Sequence, residues 1–206
     1  MGRGPEPYLL ALAVWMPIYD LKIPKAIPFP KPPLQSETFV LRRLVRSDYE
    51  ALKATRDHPE TAPWVNMIAL PDGEGLVRFA ESKRRAGKLL HLAIAENADN
   101  RVIGEILLFV RAAEAAETGI GEIAYVVDPG ERGRGIAPAA VQLVSEWAFA
   151  ELDLKRLQLS IHPDNQASHR VAEKAGYQFE GTLRSVKNIR GVRVDGALYS
   201  RLPADG

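Results

Sequence analysis

The stretch EIAYVVDPGERGRGIAPA, Glu122–Ala139, decides the fold. Its first half reads as a strand. Ile123, Tyr125, Val126 and Val127 are β-branched or aromatic, and the pair Asp128-Pro129 ends the run. Its end reads as a helix start, because Ile136 opens an apolar run that continues to Leu152. Pro138 fits there, since a first-turn residue needs no N–H partner. Between strand and helix lie Gly130, Gly133 and Gly135 with Arg132 and Arg134. Glycines let backbone N–H groups converge without Cβ clashes, and a helix start adds unpaired N–H groups and partial positive charge. Such a junction predicts a phosphate cradle, with the two arginines suited to a polyphosphate.

The dinucleotide spacing G-x-G-x-x-G and the P-loop ending G-K-[ST] are both absent. What is present is Arg132-Gly133-Arg134-Gly135-Ile136-Ala137, the pattern R-x-x-G-x-A. This resembles the acetyl-CoA pyrophosphate loop of the GNAT N-acetyltransferase superfamily. A second stretch supports the resemblance. Asn165 to Ser168 reads N-x-x-S and is followed by RVAEKAGY, similar to the second signature of that superfamily, with Tyr177 where a phenylalanine is usual. EIAYVVDP and the ending YSRL are similar to the RimJ/RimL-type branch.

Outward from these motifs the elements follow the same order. Thr38–Leu44 predicts a strand, and Ser47 with Glu50 predicts a capping box opening a helix to about Arg56. A second helix is expected over Glu74–Ala86, closed by Gly87. Strands are expected at Leu89–Glu96 and Arg101–Arg111, with a soft loop at Ala112–Thr118 before the strand of Glu122. Beyond the long helix come a strand at Arg156–Ile161, a helix from Asn165 to Gly176, and strands at Tyr177–Leu183 and Val192–Leu202. The resemblance implies an α/β (α+β) fold: a mixed, mostly antiparallel twisted sheet flanked by helices.

Composition narrows the rest. At 206 residues the chain suits one domain plus an extension. Residues 1–35 carry eight of the fifteen prolines and are expected to form a proline-rich arm, with the domain over 36–206. The apolar run Tyr8–Ile18 is too short for a membrane span, and no basic start or small-residue cleavage site accompanies it. A net charge of +1 gives no electrostatic case for nucleic acid or an anionic membrane. The chain has no cysteine, which removes disulfides, thiolate metal sites and a cysteine nucleophile, and its four histidines lack metal-ligand spacing. A cytoplasmic, metal-independent protein, monomer or homodimer, is expected.

The resemblance implies direct attack of a primary amine on acetyl-CoA, the amine belonging to a protein N-terminus or to a small molecule. It assigns the proton-accepting role to Glu122, whose side chain shares a face with Ala124 and Val126. Glu105 and His162 are alternatives. Ser168 is the candidate near the CoA sulfur, because Ala172 stands where many relatives have a tyrosine. Cofactor contacts are expected from Val126, Val127, Arg132, Gly133, Arg134, Gly135, Ile136, Ala137, Asn165 and Ser168, while Arg170 on the polar face of its helix is equally well accounted for as a phosphate contact or as a solvated charge. Trp64, Met67 and Tyr125 are candidates to line the acceptor pocket. A fold that only binds acyl-CoA, or one using a longer acyl donor, stays open at this point.

Overall fold

The computed structural model describes residues 26–65, 72–110, 119–189 and 191–205. Leu89–Glu96 (β3) is buried along nearly its whole length, because layers cover both of its faces. Leu90, Leu92 and Ile94 join one apolar cluster with Ile136, Ala140, Val141 and Val144 of the long helix. Ala93, pointing the other way, joins Leu52, Leu76 and Ala80 of the first two helices. The sheet is therefore the middle of three layers. The full order is β1 (Leu34–Gln35), β2 (Phe39–Arg43), α1 (Tyr49–Asp57), α2 (Gly73–Arg85), β3, β4 (Val102–Val110) and β5 (Ile120–Val127). Then follow α3 (Ile136–Leu152), β6 (Arg156–Ile161), α4 (Gln166–Lys174), β7 (Gln178–Ile189) and β8 (Val192–Arg201).

The eight strands form one sheet in the order β1-β2-β3-β4-β5-β6-β8-β7. All neighbours are antiparallel except β5 and β6, which are parallel and joined by the crossover helix α3. This is the mixed, mostly antiparallel sheet that the resemblance implies. Within α3, Ser145 is a polar residue in an otherwise apolar face. It is fully buried and bonds the Val141 carbonyl and the Tyr177 hydroxyl, at 2.7 and 2.8 Å. The helix thus docks α4's trailing end as well as the sheet.

The entry to α1 also differs from expectation. Ser47 and Glu50 form no capping box. A short 3-10 turn, Arg46–Asp48, precedes the helix, and the buried Asp48 carboxylate accepts from the Val45 N–H at 2.9 Å and pairs with Arg42 at 2.7 and 2.8 Å. A side chain that satisfies a backbone donor and a guanidinium together wins over a solvent-exposed cap. The α2 start matches the capping rule instead, with Asp72 accepting from Gly75 N–H at 2.7 Å.

Part of the proline-rich extension packs on this domain. Ile27 is buried, Phe29 lies under the guanidinium groups of Arg43 and Arg84, and Leu34–Gln35 pairs with β2. Packing with the domain therefore reaches back at least to Ile27. The apolar run at 8–18, the loop at 112–118 and Met67 lie outside the described residues.

One ionic cluster ties α1 to the sheet. Arg56 of α1 grips both carboxylate oxygens of Glu105 on β4, and His91 Nε2 of β3 lies 2.7 Å from the same carboxylate. Glu105 is 1% exposed. Burial opposes its charge, yet the hydrogen bonds and charges of His91 and Arg56 hold its carboxyl below the usual range. Removing one partner of such a pair strands the other charge in a dry site. Arg56→Met should cost about 3–5 kcal/mol of unfolding free energy in a urea titration. A loss below about 1 kcal/mol would show that the cluster is not what fastens α1.

Candidate active site

The chemistry-bearing residues meet where the sheet comes apart. β5 and β6 pair only at Ile120–Arg156, Gly121–Leu157 and Glu122–Gln158. Beyond Glu122, β5 runs on to Val127 and β6 to Ile161 without pairing to each other. A cleft of about 820 Å³ fills the gap, bordered by both strands, the glycine loop, the start of α4, β7 and residues 60–65.

Strand register sorts the lining onto two faces. Glu105 pairs with Val126, Leu107 with Ala124, and Phe109 with Glu122, so these six side chains share one face. It is the face of α1 and α2, since Ala93, paired with Glu105, packs there. Ile123, Tyr125 and Val127 point to the opposite face, toward α3 and α4. Tyr125 therefore does not stand beside Glu122, although sequence reasoning grouped it with the acceptor pocket. It stands beside Ser168. Its buried hydroxyl finds no partner at hydrogen-bonding geometry among the described residues. Burial pushes the phenol up to about 12, with the neighbouring Ser168 hydroxyl working weakly against the shift.

On the first face, Glu122 is half-buried and accepts one long bond, 3.3 Å, from Gln158 Nε2. Glu105, the alternative to it, accepts on both oxygens from Arg56 and also meets His91, so its charge is already paired. His162 lines the cleft, its Nδ1 accepting from Asp164 N–H at 3.2 Å and its ring meeting Trp64 edge-on at 5.4 Å. Trp64, Phe109 and Ala124 are exposed to the cleft.

The loop matches its predicted geometry. Gly133 and Gly135 have φ of 79° and 77°, the left-handed region that side chains disfavour. Nothing lies within 4 Å of where a Cβ would sit on either, so conformation and not crowding selects glycine. The first helical bond is Ala139 N–H to Gly135 C=O at 3.2 Å, which leaves Ile136 and Ala137 N–H groups without intrahelical acceptors. Arg132 bonds Val127 C=O, Glu60 and Thr61 at 3.3, 3.1 and 2.7 Å. Arg134 bonds Glu96 at 3.0 Å and also Glu131. Both arginines thus stand at the loop with acidic partners of their own, which the sequence did not indicate. Asn165 caps α4, its Oδ1 accepting from Ser168 N–H at 3.1 Å. Arg170 is exposed at the cleft border.

One lining residue escaped sequence analysis. Lys187 of β7 enters the cleft and donates from Nζ to the Ser160 carbonyl. Burial pushes its pKa down, and the Glu122 charge partly opposes the shift. Only the bulge described below brings it there, and no local pattern signals that. Among the described residues no group of three His, Asp or Glu side chains is placed to hold a metal, and no helix is long and apolar enough to cross a membrane.

Comparison with known proteins agrees with this geometry. Residues 38–178 match the acetyltransferase (GNAT) domain. The chain belongs to the GNAT acetyltransferase family and is an acyltransferase. "Probable N-acetyltransferase YjcK" of Bacillus subtilis is 38% identical over 115 residues, which span 56% of this chain and 62% of YjcK. The L-amino acid N-acetyltransferase AaaT of Escherichia coli is 25% identical over 164 residues, 79% of this chain and 97% of AaaT. Mycobacterium smegmatis RimJ, solved in complex with CoA-disulfide, superposes with a TM-score of 0.71 over 81% of this chain and 83% of its own, at 22% identity.

Gly135→Val tests the loop. A β-branched residue is strained at φ of 77°, yet it meets no neighbouring atom, so the fold should survive. Calorimetric titration should show acetyl-CoA binding lost while the circular dichroism spectrum stays native. Unchanged affinity would remove the loop from the cofactor site.

Proposed function

We propose that the protein moves an acetyl group from acetyl-CoA to a primary amine by direct attack, with both reactants bound together. The observation that carries this reading is the unpaired stretch of β5. Where that stretch begins stands a half-buried carboxylate, Glu122, on one face of the sheet, and within it a hydroxyl, Tyr125 beside Ser168, faces the other side with no hydrogen-bond partner among the described residues.

The fit to the cofactor rests on three features. The left-handed glycines and the open N–H groups of Ile136 and Ala137 suit the pyrophosphate, with Arg132 and Arg134 at hand to exchange acidic partners for phosphate. The unpaired β5 edge through Val126 and Val127 offers backbone donors and acceptors to the amide-containing arm. The Tyr125 hydroxyl gains a partner at the sulfur end, and Asn165 lines the same side. Acetyl-CoA supplies an activated thioester.

Glu122 accepts the amine proton, directly or through water, which exposes the nitrogen lone pair. The new N–C bond forms as the C–S bond breaks, and Tyr125 and Ser168 hydroxyls donate hydrogen bonds where the thiolate develops. An N–H of Val126 or Val127 polarises the carbonyl oxygen. Holding both reactants in the cleft supplies much of the rate.

Glu122→Gln keeps size and hydrogen bonding but loses basicity. Turnover should fall by roughly 10²–10⁴ with acetyl-CoA affinity unchanged, and the deficit should shrink at high pH, where more amine is neutral. Tyr125→Phe and Ser168→Ala should each cost less, because a thiolate leaves without a strong acid. Turnover against pH for the three variants is the measurement. Wild-type turnover in Glu122→Gln across that range would shift the proton to water or to His162.

A further inference from the structure

We propose that the acceptor is a free α-amino acid with an apolar side chain, its carboxylate held by Lys187 and its amine presented to Glu122. This rests on the acetyl-transfer reading of the same cleft.

The placement of Lys187 is built by the fold. β7 pairs with β8 up to Leu183–Gly196, with a first register shift between Phe179 and Gly181, and again from Lys187–Val194, so three residues of β7 face one of β8 between those last two pairs. Ser185 takes φ of 54° in this bulge, and its N–H donates to Asp195 Oδ1 at 2.7 Å. Arg193 closes the bulge by donating to Ser185 Oγ at 3.1 Å and to its carbonyl. Bulges re-aim the side chains that follow them. Here the lysine that follows is turned into the cleft, partly buried, with its ammonium on the Ser160 carbonyl.

An ammonium has three donors, and one neutral carbonyl uses one. A partly desolvated cation with a single hydrogen bond among the described residues calls for an anion. The Glu122 charge acts on it, but Glu122 also has to serve the amine. Spacing fits a small zwitterion. Glu122 bonds Gln158, and Lys187 bonds Ser160, two residues further along β6. Two residues of strand span about 6.6 Å. Amine and carboxylate on one α-carbon are separated by two bonds, about 2.5 Å, and a hydrogen bond of roughly 2.8 Å at each end bridges that span. A peptide N-terminus would offer Lys187 a neutral carbonyl and leave the charge unanswered.

The third substituent of the α-carbon faces apolar surface. Ala124 and Leu107 lie on the Glu122 face of the sheet, and Phe109 is directly opposite Glu122. Phe109 is 40% exposed and Trp64 39%, both lining the cleft. A leucine-like or aromatic side chain would cover them.

The test compares leucine with leucinamide, by calorimetric titration into the CoA-bound protein and by CoA release from acetyl-CoA. Wild type should prefer leucine by roughly tenfold to a hundredfold in Kd and in KM, the size of one charged hydrogen bond. Lys187→Met should erase that preference by weakening leucine alone, with kcat little changed, and Lys187→Arg should restore part of it. If leucinamide binds as well as leucine to wild type, or if Lys187→Met weakens both equally, the carboxylate assignment fails. Release of CoA to none of a wide panel of amines would overturn acetyl transfer, while the titration would still decide the role of Lys187.

Discussion

The separation of β5 from β6 is the constraint on which the rest depends. Each strand stays fastened on its outer side while they diverge. Ala124 and Val127 keep their β4 partners, Leu107 and Gly104, and Ser160 and Ile161 keep their β8 partners, Leu198 and Ala197. The gap can therefore open without unravelling the sheet. It leaves a row of backbone donors and acceptors on each inner edge, and such groups seek partners when water is excluded. An amide-bearing ligand between the strands would complete the sheet. The crossover helix α3 makes the opening possible, because a parallel pair needs no tight turn that would hold its ends together. The same helix delivers its N-terminus to the mouth of the gap.

Two glutamates on neighbouring strands show how environment divides roles. Glu105 and Glu122 lie on the same face of the sheet, four residues apart in register along β4 and β5. Glu105 is buried under α1, and Arg56 and His91 fix its charge. It ties α1 to the sheet. Glu122 lies further along, where α1 and α2 no longer cover the sheet, and it keeps one long contact to Gln158. A carboxylate with lone pairs to spare at the edge of a cleft can change partners during a reaction, whereas a fully bonded one cannot.

The fold was legible because its signals are local. The strand, glycine loop and long helix of residues 120–152 follow from β-branching, left-handed positions and apolar periodicity, and the observed bounds agree closely. Asn165 was legible as a cap for the same reason. What escaped depends on register and on distance. Alternation tells that Glu122 and Tyr125 face opposite ways, but not which layer lies on each side. Glu105 and His91 are ordinary strand residues until β3 and β4 pair. Lys187 needs a bulge that depends on Arg193, Asp195 and a left-handed Ser185, none of which marks a turn in sequence. The arginine partners Glu60 and Glu96 lie 72 and 38 residues away from Arg132 and Arg134.

Those partners separate the two loop arginines in kind. Arg134 itself is exposed while it holds Glu96 and Glu131, and ion pairs to so solvated a guanidinium are screened and exchange readily. A phosphate arriving at the loop could draw its guanidinium away at little cost, and what Arg134 offers is charge. Arg132 does more. It reaches the carbonyl of Val127, the last residue of β5, and in the same fork the Thr61 hydroxyl and Glu60 carboxylate. It therefore braces the end of the diverging strand against the segment that carries Trp64 at the border of the cleft. The glycine loop and that border share one side chain. Any rearrangement of that guanidinium is felt at both, so the geometry of the two ends of the cleft, which the proposed reading gives to cofactor and amine, is set together.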